Sequence, residues 1–239
     1  FASAMSAGDL RLAEAKPRLL KMLDDASPHV RIGVRYALHK LGDTRFTRDL
    51  EKTAVDADPR VRANTVLALG RLGEPTALRI LRQMSHDKDA VVRIQVAAAR
   101  WRLGDEDALR SLVAFTLSGY ADDQIIALLG LAGPRDRRSI QHIRQALVSE
   151  YPEVALVAAR AMGMLPPNLR EGRYSDEGYG VAMKYIHSDD ARQRSLAALA
   201  LGEIGRPDAQ PVLAELLRDP DADTRVAAAT AILELDARP

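Results

Sequence analysis

The apolar positions of this chain follow helical spacing in blocks that recur every 31 residues over much of its length. In one block, Val61, Ala68 and Leu72 lie on one face of a predicted helix. Asp58 is suited to the N-cap of this helix, and Gly73 is suited to its C-terminal stop. The pattern therefore predicts an amphipathic helix over residues 59–72.

A second, shorter apolar stripe follows this helix after a turn. In residues 76–84, Leu78, Leu81 and Met84 again have helical spacing. Two short helices cannot bury both stripes alone, so neighbouring helix pairs must stack on one another. The pattern predicts an all-α fold over residues 1–239, a single right-handed α-solenoid of about seven two-helix repeats.

An arginine marks the same position in most repeats, and we call this position the anchor. Counting back eleven residues from Gly133 and Pro166, which are interpreted as helix ends, gives the anchors of the two repeats that lack the arginine. A wider spacing before the sixth anchor predicts an insertion at residues 166–180. Both ends of the chain resemble interrupted repeats, so we expect it to be cut from a longer array. The predicted anchors are Arg31, Arg62, Arg93, Asp122, Ala155, Arg194 and Arg225.

The repeated pattern D-x-D-x-x-V-R … A-L-G-x-L-G resembles HEAT-like repeats of the short type, as found in phycobilisome-lyase-related proteins. The pattern is clearest at residues 20–110 and 188–236. The resemblance implies a helical binding scaffold, and it is specific for the fold rather than for a function. A chromophore-lyase-like subunit is an alternative that follows from the resemblance alone.

The composition excludes several classes of chemistry. The 239 residues include no cysteine, which excludes disulfides, thiolate metal sites and thiol nucleophiles. No phosphate-binding loop or nucleophile elbow is present. No apolar run approaches the ~18 residues of a membrane span. We expect a soluble protein, in the cytoplasm rather than the periplasm, with no enzyme activity, catalytic residue, cofactor or metal site and no membrane insertion.

The anchor arginines have acids at a fixed distance before them, and this arrangement predicts a structural ladder. An acid lies six residues before the anchor in four repeats, within reach of the arginine of the same repeat or of a neighbouring one. We therefore expect these arginines to bind the scaffold rather than a ligand. The predicted ladder comprises Arg31, Arg62, Arg93, Arg194, Arg225, Asp25, Asp56, Asp87 and Asp219.

The position nine residues after the anchor is predicted to face outward on the second helices, which line the concave side of such a solenoid. Residues 1–104 contain 19 Lys and Arg against 12 Asp and Glu, whereas residues 105–239 contain 15 against 21. The outward position follows this charge gradient, and it predicts a graded partner-binding surface. Its members are Lys40, Arg71, Arg102, Leu131, Met164, Glu203 and Glu234.

Further partner-binding candidates share the predicted concave face or lie in the insertion. Three of them are amides that would hydrogen-bond the backbone of an extended peptide. These candidates are Tyr36, Asn64, Gln95, Gln124, Arg160, Tyr174 and Tyr179.

The leading hypothesis is a non-enzymatic scaffold that binds a peptide or a helical segment of another protein along this face. Nucleic-acid binding by the basic N-terminal repeats is a second hypothesis, although aromatic residues, at 4%, offer few platforms for base stacking. Head-to-tail self-association, from the basic end to the acidic end, is a third possibility.

Overall fold

The regular structure of the protein is helical. A computed structural model describes residues 1–134, 136–166 and 173–237, and of residues 173–175 it describes the backbone only. Every regular element in these ranges is an α-helix or a 3₁₀-helix, which confirms the all-α prediction. Contacts between Cα atoms divide the chain into two compact units, residues 1–111 and 112–239.

In the first unit, long helices alternate with short ones. Asp58 caps one long helix by accepting a hydrogen bond from the backbone N–H of Arg60, and Gly73 ends that helix with φ of 79°. Asp89 caps the next long helix through the N–H of Val92. The helices are α1 (Ala2–Asp9), α2 (Lys16–Lys21), α3 (Pro28–Lys40), α4 (Leu50–Thr53), α5 (Pro59–Leu72), α6 (Leu78–Gln83), α7 (Ala90–Arg102) and α8 (Asp107–Phe115), which crosses the boundary.

The long helices of this unit pack in sequence, α1 on α3, α3 on α5 and α5 on α7. Small residues allow the backbones to approach closely. A Cβ atom added to Gly70 would lie 2.8 Å from the Cβ of Ala99, and one added to Gly8 would lie 2.7 Å from the Cα of Ala37. The same glycine–alanine contact therefore recurs between α1 and α3 and between α5 and α7.

The second unit has the same alternation of long and short helices. Its long helices also pack in sequence, and Asp190 and Asp221 cap two of them. The helices are α9 (Ala121–Ala132), α10 (Ile140–Gln145), α11 (Pro152–Gly163), α12 (Arg173–Tyr185), α13 (Ala191–Ile204), α14 (Gln210–Leu216) and α15 (Ala222–Asp236).

The same hydrogen-bonded turn precedes the long helices α3, α5, α7, α9, α11, α13 and α15. In each turn, a side-chain oxygen six residues before the anchor accepts a hydrogen bond from a backbone N–H two residues later. The accepting residues are Asp25, Asp56, Asp87, Ser118, Ser149, Ser188 and Asp219. The turn at Ser118 therefore places the fourth anchor at Gln124, and the predicted anchor Asp122 is wrong by two residues.

The error arises from the glycine used to count back. Gly42, Gly73, Gly104 and Gly205 all have positive φ angles, from 78° to 86°, whereas Gly133 has φ of −55° and remains in the right-handed helical region. Gly133 is therefore not the equivalent helix stop. The corrected position also removes Leu131 from the outward row, in agreement with its complete burial.

Candidate partner-binding surfaces

Arg62 connects two consecutive turns of the first unit. Its Nε and Nη2 atoms donate to the carboxylate of Asp87, both at 2.7 Å. Its Nη1 atom donates to the carbonyls of Asp56 and Ala57, at 2.8 and 3.1 Å. Only 4% of Arg62 is exposed to solvent. All three guanidinium nitrogens of Arg62 therefore donate hydrogen bonds to groups of the scaffold.

Arg194 makes the same contacts in the second unit. Its Nε and Nη2 atoms donate to the carboxylate of Asp219, and its Nη1 atom donates to two carbonyls of the preceding turn. We call Arg62–Asp87 and Arg194–Asp219 the ladder pairs. Three other anchors make the carbonyl contacts of the same turn through Nη1; they are Arg31, Arg93 and Arg225.

The ladder pairs should make the fold sensitive to acid. Hydrogen bonds from Arg62 hold the pKa of Asp87 below its ordinary value, and Arg194 has the same effect on the pKa of Asp219. Because the folded pKa lies below the unfolded one, the stability from these carboxylates is present above about pH 4 and is lost as the pH falls through the folded pKa. We expect the melting temperature, measured by circular dichroism, to fall with pH below about 4.

The variant that tests this origin is Asp87→Asn combined with Asp219→Asn, which lacks both titrating groups. We expect its melting temperature to be lower than that of the wild type at neutral pH. On acidification, we expect its melting temperature to decrease less than that of the wild type. An equal loss in the two proteins would contradict the assignment to the ladder pairs.

Three cations of the outward row surround one tyrosine in the first unit. The Nζ atom of Lys40 lies 6.0 Å from the ring centroid of Tyr36. An Nη1 atom of Arg71 lies 3.5 Å from the carboxylate of Asp9, which also accepts the hydrogen bond of the Tyr36 hydroxyl. Arg71 and Arg102 both act electrostatically on Tyr36. We call Lys40, Arg71 and Arg102 the basic cluster.

Tyr36 is not an exposed partner-binding residue, and that prediction is wrong. Only 1% of the residue is exposed, and its ring belongs to the core with Ile32 and Val66. Asp9, at the end of α1, supplies the acceptor that its hydroxyl needs on burial. Burial and this hydrogen bond raise the pKa of Tyr36 above its ordinary value. Tyr36 therefore forms the floor of the basic cluster rather than part of its exposed surface.

Of the two arginines in the basic cluster, Arg102 is the one without a counter-ion. Its side chain is exposed, and no carboxylate of the described residues lies within ion-pair distance of it. Partial desolvation, and then the positive charge of Arg71, lower the pKa of Arg102. An anionic group bound at this point would relieve the repulsion between the two guanidinium groups.

The acidic members of the outward row lie in the second unit and have neighbours of their own. The Oε1 atom of Glu203 lies 3.6 Å from Nη2 of Arg160, and both side chains are half-buried. The Oε2 atom of Glu234 lies 2.7 Å from the point that a Cβ on Gly202 would occupy. The two carboxylates are therefore held against the helices, in contrast to Arg102.

The three amides do not form one row. The Nδ2 atom of Asn64 lies 2.8 Å from Nδ1 of His29. Gln95 is half-buried, and its Oε1 atom has no hydrogen-bond partner among the described residues. Gln124 instead occupies an anchor position, where its Nε2 atom donates to the Ser118 carbonyl at 2.6 Å. The predicted run of three is wrong because it used the incorrect fourth anchor.

The insertion contributes one described aromatic candidate. Tyr179 is half-buried, and the guanidinium carbon of Arg206 lies 4.2 Å from its ring centroid. Arg206 also pairs with Asp176 and Asp208, each at 2.6 Å. The side chain of Tyr174 lies outside the described residues. Tyr179 is therefore covered by Arg206 in this conformation.

Sequence reasoning missed a cavity of about 500 Å³ in the second unit. It lies between the turns that precede α9 and α11, and Ser118, Gln124 and Ser149 line it. The sequence signal for this cavity is the presence of uncharged residues where the equivalent positions of other repeats carry charged ones. That signal becomes visible only after the fourth anchor is corrected.

The described residues contain neither a candidate metal-binding cluster nor a membrane-spanning helix. Across residues 1–134, 136–166 and 173–237, no group of three or more His, Asp or Glu is arranged to hold a metal ion. In the same ranges, no helix is both long enough and apolar enough to cross a bilayer. The absence of enzyme activity stays a prediction.

Comparison with known proteins identifies the repeat. A family model described as HEAT repeats matches residues 47–124 and 179–237. The complex of CpcE and CpcF of phycocyanin lyase from Nostoc sp. PCC7120 is 22% identical, with 92% of this chain and 87% of that chain covered and a TM-score of 0.60. Human deoxyhypusine hydroxylase is 19% identical, with 94% and 85% covered and a TM-score of 0.45. No curated protein sequence matches the chain.

Proposed function

The chain belongs to the HEAT-repeat family, and from this premise we propose that it is a non-enzymatic scaffold that binds an acidic segment of another protein. The basic cluster of the first unit is the proposed contact surface. Its three residues lie near the C-terminal ends of α3, α5 and α7, which present a row of adjacent positions to one extended or helical ligand. The structure of the lyase complex, in which CpcE and CpcF associate, supports protein binding as a use of this fold.

The lone charge of Arg102 is the observation that carries the proposal. Most other guanidinium groups of the first unit have a carboxylate or carbonyl partner, as Arg62 and Arg93 do. Arg71 shares only one long contact with Asp9. Carboxylates from a partner would supply charge-assisted hydrogen bonds to both exposed guanidinium groups, and the planar fork of arginine suits that geometry.

A protein ligand fits the cluster better than a nucleic acid does. Unspecific binding of single strands depends on aromatic platforms for base stacking, and the one ring at the cluster, that of Tyr36, is buried. The anchor arginines, which would extend the positive surface, donate to backbone carbonyls of their own turns. The exposed charge is therefore local rather than a continuous track for a phosphate backbone.

Charge reversal at Arg102 tests the proposal. The probe is a fluorescein-labelled amphipathic helical peptide that carries glutamates on one face and leucines on the other. We expect Arg102→Glu to weaken its binding, measured by fluorescence anisotropy, by about tenfold or more, because one favourable contact becomes a repulsive one. The matched control is Lys21→Glu, which reverses an exposed charge on the short helix α2 and should change the affinity less than about twofold.

Two outcomes would overturn the proposal. In the first, Arg102→Glu leaves the affinity for the acidic peptide unchanged. In the second, a peptide with glutamines in place of the glutamates binds as tightly as the acidic peptide. Duplex DNA that binds more tightly than the acidic peptide, with an affinity that falls steeply with salt, would replace the proposed ligand by a nucleic acid.

A further inference from the structure

The cavity of the second unit has an exact counterpart in the first unit, displaced by 62 residues along the chain. The counterpart measures about 420 Å³ and is lined by Asp56, Ala57, Arg62 and Asp87. The equivalent lining residues of the second-unit cavity, which measures about 500 Å³, are Ser118, Gly119, Gln124 and Ser149. The first unit therefore shows which residues line this place in a repeat that has a ladder pair, and we call its cavity the reference site.

The lining of the reference site includes a ladder pair, and the lining of the second-unit cavity lacks one. Gln124 replaces Arg62 and reproduces a single contact, the donation to the carbonyl six residues earlier. Ser149 replaces Asp87, and its Oγ atom accepts only the N–H of Tyr151, at 3.2 Å. Both the forked donor and the carboxylate that it binds are therefore missing from this cavity.

The lining of the cavity combines hydrogen-bond acceptors with the donor-bearing side chains of His142 and Gln145. The carbonyl of Ala57 accepts a hydrogen bond from Arg62, whereas no described side chain donates to the equivalent carbonyl of Gly119. The Ser149 hydroxyl and the Glu150 side chain also line the cavity. A ligand that brings donors and positive charge would satisfy these groups, whereas an anion would meet Glu150.

The rim of the cavity is apolar and aromatic. The two N-cap aspartates of the reference repeats, at the position of Asp58, are replaced by Tyr120 and Tyr151. Tyr151, Leu117 and Val148 line the cavity and are 36%, 70% and 86% exposed, and Tyr120, which follows the lining residue Gly119, is 76% exposed. Tyrosine rings next to carbonyl acceptors suit a guanidinium, which can stack on an aromatic face while its N–H groups form hydrogen bonds.

We propose that this cavity binds the guanidinium of an arginine presented by a segment of another protein. The arginine replaces the one that the chain itself provides in the reference site. Its planar donors reach the Gly119 carbonyl and the Ser149 hydroxyl, Glu150 supplies the counter-charge, and the exposed rim contacts the residues that flank it. The excess of acidic residues in the second half of the chain, 21 against 15 over residues 105–239, complements the charge of such a segment.

The probe for this site is a fluorescein-labelled peptide with one arginine between leucine and glycine residues. The comparison peptide carries citrulline, which has nearly the same shape as arginine but no charge. We expect the arginine peptide to bind about tenfold more tightly, because charge-assisted hydrogen bonds are stronger than neutral ones. Equal affinities for the two peptides would overturn the proposal.

The decisive variant is Gln124→Arg combined with Ser149→Asp, which rebuilds the ladder pair inside the cavity. We expect it to unfold at the same temperature as the wild type or a higher one and to lose binding of the arginine peptide. If this variant misfolds, Tyr151→Ala provides the test, with an expected loss of about threefold to tenfold. Arg102→Glu should leave this binding within about twofold, which separates failure here from failure of the proposed function.

Two further outcomes would count against the assignment. A folded Gln124→Arg, Ser149→Asp variant that binds the arginine peptide like the wild type would show that the ligand lies elsewhere. Self-association of the wild-type chain in light scattering that this variant abolishes would identify a second copy as the occupant instead of a different protein.

Discussion

Replacing Arg62 by alanine is expected to lower the free energy of unfolding by about 3–5 kcal/mol. The substitution removes the forked donor from a buried carboxylate, and Asp87 is left without its counter-ion in a site of low exposure. It also removes the donor for the carbonyls of Asp56 and Ala57. The loss is large because the remaining groups are desolvated and unpaired, not because an ion pair is intrinsically strong.

Urea denaturation followed by circular dichroism measures this loss, and Arg60→Ala is the matched control. Arg60 lies two residues away, is largely exposed and pairs with the N-cap residue Asp58. We expect that control to cost less than about 1 kcal/mol. A cost below about 1 kcal/mol for Arg62→Ala, together with lost binding of the acidic peptide, would show that Arg62 serves a ligand rather than the scaffold.

The substitution Gly163→Ala is expected to lower the free energy of unfolding by about 3 kcal/mol. A Cβ atom at this position would lie 2.4 Å from the carbonyl carbon of Glu203 and 2.5 Å from the backbone nitrogen of Ile204. Both are backbone atoms of α13, so no side-chain rotation can relieve the collision. The helices α11 and α13 would have to separate, with loss of packing along their contact.

Gly180→Ala makes the same chemical change without the collision. Gly180 is an exposed residue of α12, and among the described residues no atom outside the adjoining backbone of α12 and the two neighbouring residues lies within 4 Å of the position of its added Cβ. We expect this control to increase the free energy of unfolding by about 0.5–1 kcal/mol, because alanine restricts the unfolded chain and favours the helix. Thermal and urea unfolding measure both variants, and effects of the same sign would contradict the close approach of α11 and α13.

The local features of the fold could be predicted from the sequence. Asp58 caps α5 and Gly73 ends it with a positive φ, because each of these roles depends on residues within one turn of the chain. The recurrence of these features at a fixed spacing was sufficient to predict stacked helix pairs. The same recurrence indicated the arginines that contact their own turns, including Arg93.

The features that failed depend on conformation or on distant residues. Gly133 has the identity of a helix stop but not the positive φ of one, and this displaced the fourth anchor from Gln124 to Asp122. Tyr36 packs in the apolar core, where Asp9, 27 residues earlier, accepts the hydrogen bond of its hydroxyl. No pattern within one repeat contains that contact.

The candidate surfaces, too, could be predicted from the sequence only in part. The charges of Lys40, Arg71 and Arg102 could be predicted as one outward row, whereas their grouping above Tyr36 required the structure. The cavity beside Gln124 was missed because its signal is the absence of charged residues that other repeats have. Such an absence can be recognised only when equivalent positions are aligned correctly.

The ladder pairs also have a consequence for cooperativity. In a linear array of repeats, each unit folds with an intrinsic free energy and a coupling free energy to its neighbour. Arg62–Asp87 and Arg194–Asp219 each contribute to one such coupling, since they join successive turns. Where Gln124 and Ser149 take the places of a ladder pair, that contribution to the coupling is missing. Partial unfolding of the second unit should therefore divide the array at this junction more readily than at the junction that Arg194 closes.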